Sequence, residues 1–154
     1  MPKQSAGILL YRKVDSEIEF FLVHPGGPFF KNKDDGTWSI PKGEFTDDED
    51  ALTAAKREFE EETGSAIDGK FIPLTPVKLK SGKTVRAWAV EGDIDPTQIT
   101  SNTFTIEWPP KSGKMQAFPE IDRAGWFGYN EAIAKINNAQ AALVIELHNV
   151  LDKK

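Results

Sequence analysis

Cysteine is absent from all 154 residues, so neither a disulfide nor a thiolate metal site is available to this chain. Histidine is scarce. The two that occur, His24 and His148, lie too far apart in the pattern to pair as ligands, and each reads as surface or loop structure. Apolar runs are short, and none approaches the roughly 18 residues of a membrane span. The opening MPKQSAG leads directly into a strand pattern. A soluble, cytoplasmic protein with no membrane partner is therefore expected. Basic excess is missing too: the formal net charge is −5, which argues against extended nucleic-acid binding. With 39% hydrophobic and 28% charged residues the composition is that of a folded chain, and its length suits a single domain over residues 1–154.

What the chain has instead is carboxylate, concentrated in one place. Residues 43–65, GEFTDDEDALTAAKREFEEETGS, put Glu58, Glu60, Glu61 and Glu62 at the end of a predicted helix. The carbonyl end of a helix carries partial negative charge, so carboxylates there are unfavourable, and Glu58 also meets like charges three and four residues on. A missing positive partner would account for them. At about 100° per residue, Glu58, Glu61 and Glu62 share an arc of roughly 100°, while Glu60 points away. Three converging carboxylates with oxygen donors only suit a hard divalent cation, Mg²⁺ or Mn²⁺, whose shell substrate phosphates and water complete.

Thr46 and Glu49 form a T-x-x-E capping-box pattern, and Gly64 stands just past the last turn, which predicts a helix over 47–63. Leu52, Ala55 and Phe59 make an apolar face beside the acidic arc, so the helix can pack on a core while offering its carboxylates to a cleft. The acidic string at 47–50 lacks the spacing and central glycine of a calcium loop and suits a helix start. Gly82-Lys83-Thr84 has Val77 where a P-loop needs its first glycine, and reads as a hairpin turn.

The spacing of Gly43, Glu49, Arg57-Glu58-Phe59, Glu61-Glu62 and Gly64 resembles the signature of the Nudix hydrolases, with every charged and glycine position filled and one departure, Ser65, where the pattern has a bulky apolar residue. That resemblance implies metal-dependent attack of water on a phosphorus atom of a nucleoside diphosphate linked to a further group. It assigns Glu58, Glu61 and Glu62 as metal ligands, Glu61 as acceptor of the water proton, and Arg57 as an orienting partner of Glu49. It also implies a further carboxylate from across the cleft, for which Glu120, in Phe118-Pro119-Glu120, is the candidate, with Asp122 and Glu107 as competitors.

The segment Trp38-Ser39-Ile40-Pro41-Lys42-Gly43 resembles the one that precedes the motif in Nudix hydrolases of diadenosine polyphosphates. Lys42 and Trp38 are accordingly the expected substrate contacts, Lys42 as a point charge on a phosphate chain. A dinucleoside polyphosphate such as diadenosine tetraphosphate is the leading small-molecule partner. The alternatives are a nucleoside triphosphate, an ADP-sugar, an RNA 5′ end, or a nucleotide-binding module without turnover. Phe29, Phe30, Trp88 and Trp108 are the aromatics available to stack on a base. Lys111 and Lys114 lie in a long segment, 102–119, that suits a loop over the cleft.

Elsewhere, apolar runs at 5–12 and 17–24 read as a hairpin, and 37–40 as a short extended segment. Strands are predicted near 70–74, 77–79, 84–90 and 104–107, with another centred on Trp126-Phe127. Helical structure is predicted from Asn130 and again over 139–151. Strands mixed with few helices mean α+β, and the resemblance implies an α/β/α sandwich around a central mixed sheet.

Overall fold

The computed structural model describes residues 4–152. Its first two strands, β1 (Gln4–Val14) and β2 (Glu17–Pro25), form the expected antiparallel hairpin. Asp15 and Ser16 make the tight turn, both with positive φ, the twist that two-residue hairpin loops need. The hairpin splays as it leaves the turn. Only Tyr11 to Val14 pair with β2, whereas Gln4 to Gly7 pair with a further strand, β3 (Lys42–Phe45). Between them the chain at 38–41 wedges in: Ser39 exchanges backbone hydrogen bonds with Val23, and Ile8 N–H donates to the Pro41 carbonyl at 3.1 Å.

Completing the elements are α1 (Ala51–Thr63), β4 (Ile72–Pro73), β5 (Val77–Lys78), β6 (Thr84–Glu91), β7 (Thr103–Glu107), β8 (Met115–Pro119), β9 (Ile121–Phe127), α2 (Tyr129–Lys135) and α3 (Ala141–Asp152). The main sheet runs β4-β6-β1-β2-β9, with β3 joined to β1 and β5 to β6. β1 and β6 are parallel and the other pairs antiparallel, so the sheet is mixed, as expected. Strand alternation sends Ala6, Ile8 and Leu10 to a core shared with Ala55 and Phe59 of α1. It sends Leu9 and Tyr11 to the opposite core with Leu143, Val144 and Leu147 of α3. Helices on both faces make the three-layer sandwich, and fully burying a side chain such as Phe59 contributes about 1.5–3 kcal/mol. No helix among the described residues is long and apolar enough to cross a membrane.

The structure departs from the sequence reading at several elements. The helix starts at Ala51, not 47: Asp50 is the N-cap, its carboxylate accepting from Thr53 N–H at 3.1 Å, because the Glu49 side chain is engaged by Arg57 instead of closing a capping box. Lys42 and Gly43 belong to a strand that was not expected, since the splayed edge of β1 offers them backbone partners. Within residues 102–119 the expected strand at 104–107 is present as β7, but the rest is not loop: β8 pairs with it in a second, two-stranded sheet, and β9 is longer than its apolar centre suggested.

Candidate active site

The acidic end of α1 is built from its backbone outward. Gly64 takes φ 80°, the left-handed cap, and its N–H closes on the Glu60 carbonyl at 2.8 Å. The free carbonyls of Glu61 and Thr63 accept from Asn102 and Thr100 N–H at 3.1 and 2.9 Å. The same Asn102 accepts from Glu120 N–H at 2.8 Å, so one short segment ties the helix end to the chain that carries Glu120. That link is a backbone interaction, for which the sequence held no signal.

Arg57 organises the carboxylates. Its guanidinium grips Glu49 with two 2.8 Å hydrogen bonds, and its Nη1 also donates to Glu58 at 2.9 Å and Glu61 at 3.1 Å. Glu58 and Glu61 thus meet at the arginine. Glu62 turns away from it and accepts the backbone N–H of Lys42 at 3.2 Å, while Glu60 is exposed. With side chains so placed, no group of three acidic or histidine residues among those described is drawn around a common point.

Gly43 lets β3 press against the helix: a Cβ there would fall on the Glu58 carboxylate. The Glu62 carboxyl is pushed up to about 8, above all by burial, with Lys42 opposing and Glu58 and Glu120 adding to the rise. Glu58 is likewise raised, chiefly by burial and then by Glu61, against the pull of Arg57. Burial lowers Lys42, with Glu62 opposing. Glu120 adds to the rise of both Glu58 and Glu62, so its carboxylate lies within electrostatic reach of both. Crowded, desolvated carboxyls whose ionised forms repel one another fit a divalent cation bound through oxygen.

The competitors of Glu120 have other partners. Glu107 accepts from Lys111 and Gly113 N–H, both at 3.1 Å, and holds the β7–β8 turn. Asp122 binds His24 Nδ1 at 2.8 Å. His24 is not a surface residue: it is fully buried, with Nε2 2.7 Å from the Lys33 carbonyl, because the apolar run of β2 is covered on both faces through its end. His148, half-buried, stacks on Tyr129. Trp38 is a core residue, 5% exposed, edge-on to His24 and Phe127, with its indole N–H on Asp34 at 2.7 Å. It anchors the segment that delivers Lys42. Trp88 packs against the α1-side core.

Fold and acidic helix together define a hydrolase of phosphoanhydrides. The NUDIX domain family model matches residues 1–147, and the chain belongs to the Nudix family. No curated protein matches it in sequence. Among solved structures it is similar to a C. elegans Ap4A hydrolase in a binary complex, with 22% identity, TM-score 0.68, and 97% of this chain and 99% of that one covered. It is similar to the NUDIX domain of Shewanella oneidensis NrtR complexed with ADP ribose, with 14% identity, TM-score 0.67, and coverage of 98% and 89%. A mutT/nudix family protein from Listeria innocua is also similar, with 16% identity, TM-score 0.63, and coverage of 99% and 96%. At such identities the likeness is one of fold.

Proposed function

We propose that this chain is a metal-dependent pyrophosphohydrolase of dinucleoside polyphosphates, with diadenosine tetraphosphate the leading substrate, acting in the cytoplasm. The observation that carries the reading is Lys42 beside the acidic cluster: its N–H is held by Glu62, and its ammonium lies in the field of Glu62, Glu44 and Glu58. A lysine next to carboxylates that attract cations suits a long phosphate chain, which needs positive charge at several points. The fold it shares with an Ap4A hydrolase supports the same direction.

Glu58, Glu61, Glu62 and Glu120 supply the oxygen ligands for Mg²⁺ or Mn²⁺. Such an ion, when bound, polarises phosphate oxygens and lowers the pKa of bound water. Glu61, held by Arg57, accepts the proton of the attacking water as the new oxygen–phosphorus bond forms and the anhydride bond breaks. Lys42 meets the negative charge of the phosphate chain. Arg57 positions Glu58 and Glu61 while Glu49 holds Arg57.

A second reading, an ADP-sugar hydrolase or a module that binds without turnover, is favoured by the likeness to the NrtR domain complexed with ADP ribose. The deciding experiment measures product release from diadenosine polyphosphates, nucleoside triphosphates, ADP-ribose and 5′-triphosphorylated RNA, with Mg²⁺ or Mn²⁺ and with chelator. Highest turnover of diadenosine polyphosphates, abolished by chelator, is expected. Preference for another compound overturns the substrate, and no turnover by the folded protein overturns the enzyme.

A further inference from the structure

Two phenylalanines in the loop after β2 are exposed, Phe29 at 61% and Phe30 at 37%. Phe29 is nevertheless held. Its ring meets Trp108 edge-on, with centroids 5.4 Å apart and planes at 79°. Trp108 follows β7, where Phe104 and Ile106 are half-buried and Thr103, Thr105 and Glu107 exposed, so one face of the hairpin turns toward the loop after β2. Gly27 brings that loop so close to the Phe104 ring that a Cβ there would clash with it, at 2.7 Å.

The pairing is tied to the acidic centre from both sides. Gly26 N–H donates to the Glu120 carbonyl at 2.8 Å, and Glu120 N–H reaches Asn102, whose own N–H bonds the Glu61 carbonyl. Further along the loop, buried His24 fixes the Lys33 carbonyl. The Phe29 and Trp108 rings are therefore attached to the same frame as Glu61 and Glu120. The five residues of β8 separate Glu120 from the Trp108 end of the hairpin, about 16 Å at roughly 3.3 Å per strand residue. A phosphate chain with its ribose covers a comparable distance.

Charge follows the same line. Lys31 stands in the Phe29 loop, and Lys111 and Lys114 in the hairpin turn; all three are exposed, and none forms a salt bridge among the described residues. In a chain of net charge −5, that is a local cationic rim around the aromatic rings at the turn end of the hairpin.

We propose that Phe29 and Trp108 form a stacking platform for the second nucleobase of a dinucleoside polyphosphate, with Lys111, Lys114 and Lys31 along its outer phosphates. The proposal rests on the substrate class given above and adds the site that distinguishes two nucleosides from one. An aromatic face accepts any base, so the platform selects for a second nucleoside rather than for adenine.

The test is equilibrium binding by calorimetry in chelator, where no turnover occurs, comparing diadenosine tetraphosphate with ATP on the full chain. Wild type is expected to bind the two-nucleoside ligand more tightly. Phe29→Ala is expected to weaken diadenosine tetraphosphate about tenfold and leave ATP within twofold, while Phe29→Trp retains both. Because Phe29 is exposed, its truncation leaves the cores intact, and an unchanged melting temperature checks this. Equal loss for both ligands, or no loss for either, overturns the platform while the substrate class stands. Wild type without preference for the two-nucleoside ligand overturns the substrate class and the platform together.

Discussion

The Glu58 carboxyl lies in the space that a Cβ on Gly43 would occupy, so a strand backbone and a helix side chain share one wall of the cleft. Gly43 carries no positive φ, and its neighbour there is the movable end of a glutamate, so the contact concerns the site more than the fold. Gly43→Ala is expected to fold with little change in melting temperature but to displace Glu58. Mg²⁺ affinity should fall by about tenfold or more, as when a ligand's supporting contact is lost. Metal titration of both proteins is the check; equal affinities would show that the close approach has no bearing on the metal.

The raised carboxyl of Glu62 makes stability depend on pH in a stated direction. Unfolded, Glu62 titrates near its ordinary 4.5; folded, near 8. Between those values the native state holds the extra proton, so stability falls as pH rises from about 4.5 to about 8 and is level beyond. Glu58, also raised, acts in the same sense. In chelator the melting temperature should drop across that window, and Glu62→Gln should flatten the drop. A melting temperature that climbs from pH 5 to 8 in both proteins would contradict the assignment.

Arg57 joins Glu49, Glu58 and Glu61 by geometry that a lysine cannot copy, since two of its nitrogens face the two Glu49 oxygens at 2.8 Å. The guanidinium is 39% exposed, so the network adds little to stability, on the order of 1 kcal/mol or less. Its effect should fall on positioning. Arg57→Lys is expected to lower kcat about 10- to 100-fold with a near-normal melting temperature, and Glu49→Gln to lower it similarly. In the double variant the losses should not add, because both act through one pair. Fully additive losses would separate Arg57 from Glu49.

The acidic helix was legible because helical spacing is local: the arc of Glu58, Glu61 and Glu62, the apolar face of Ala55 and Phe59, and the Gly64 cap all follow from 3.6 residues per turn. The hairpin of β1 and β2 was legible for the same reason, through two apolar runs and a polar turn. The start of α1 was not, because two local patterns competed: Thr46 with Glu49, and Asp50 with Thr53. A contact with Arg57 decided between them. Nor was β3, whose residues have no strand character and pair only because β1 outruns β2. His24 shows the limit most clearly. Its burial depends on Asp122, 98 positions away, and on a carbonyl in a loop, neither of which spacing can locate.

The three candidate carboxylates outside the helix are now separable by their partners. Glu107 is held by two backbone N–H groups of the hairpin turn, and Asp122 by His24 and, at 4.0 Å, Arg123. Glu120 leaves its backbone in the frame, N–H to Asn102 and carbonyl to Gly26, and its side chain adds to the rise of Glu58 and Glu62. Glu120→Gln is therefore expected to raise the Mg²⁺ concentration for half-maximal activity about tenfold or more, since it removes one anionic ligand while keeping the shape. Asp122→Asn should leave that concentration unchanged and lower the melting temperature only slightly, because its amide oxygen still accepts from His24 Nδ1–H. Glu107→Gln should leave that concentration unchanged and lower the melting temperature only slightly, since its amide oxygen keeps one of the two N–H groups of an exposed turn. Metal-activation curves for the three variants decide among them. If the shift appears in Asp122→Asn and not in Glu120→Gln, the fourth carboxylate of the site is Asp122.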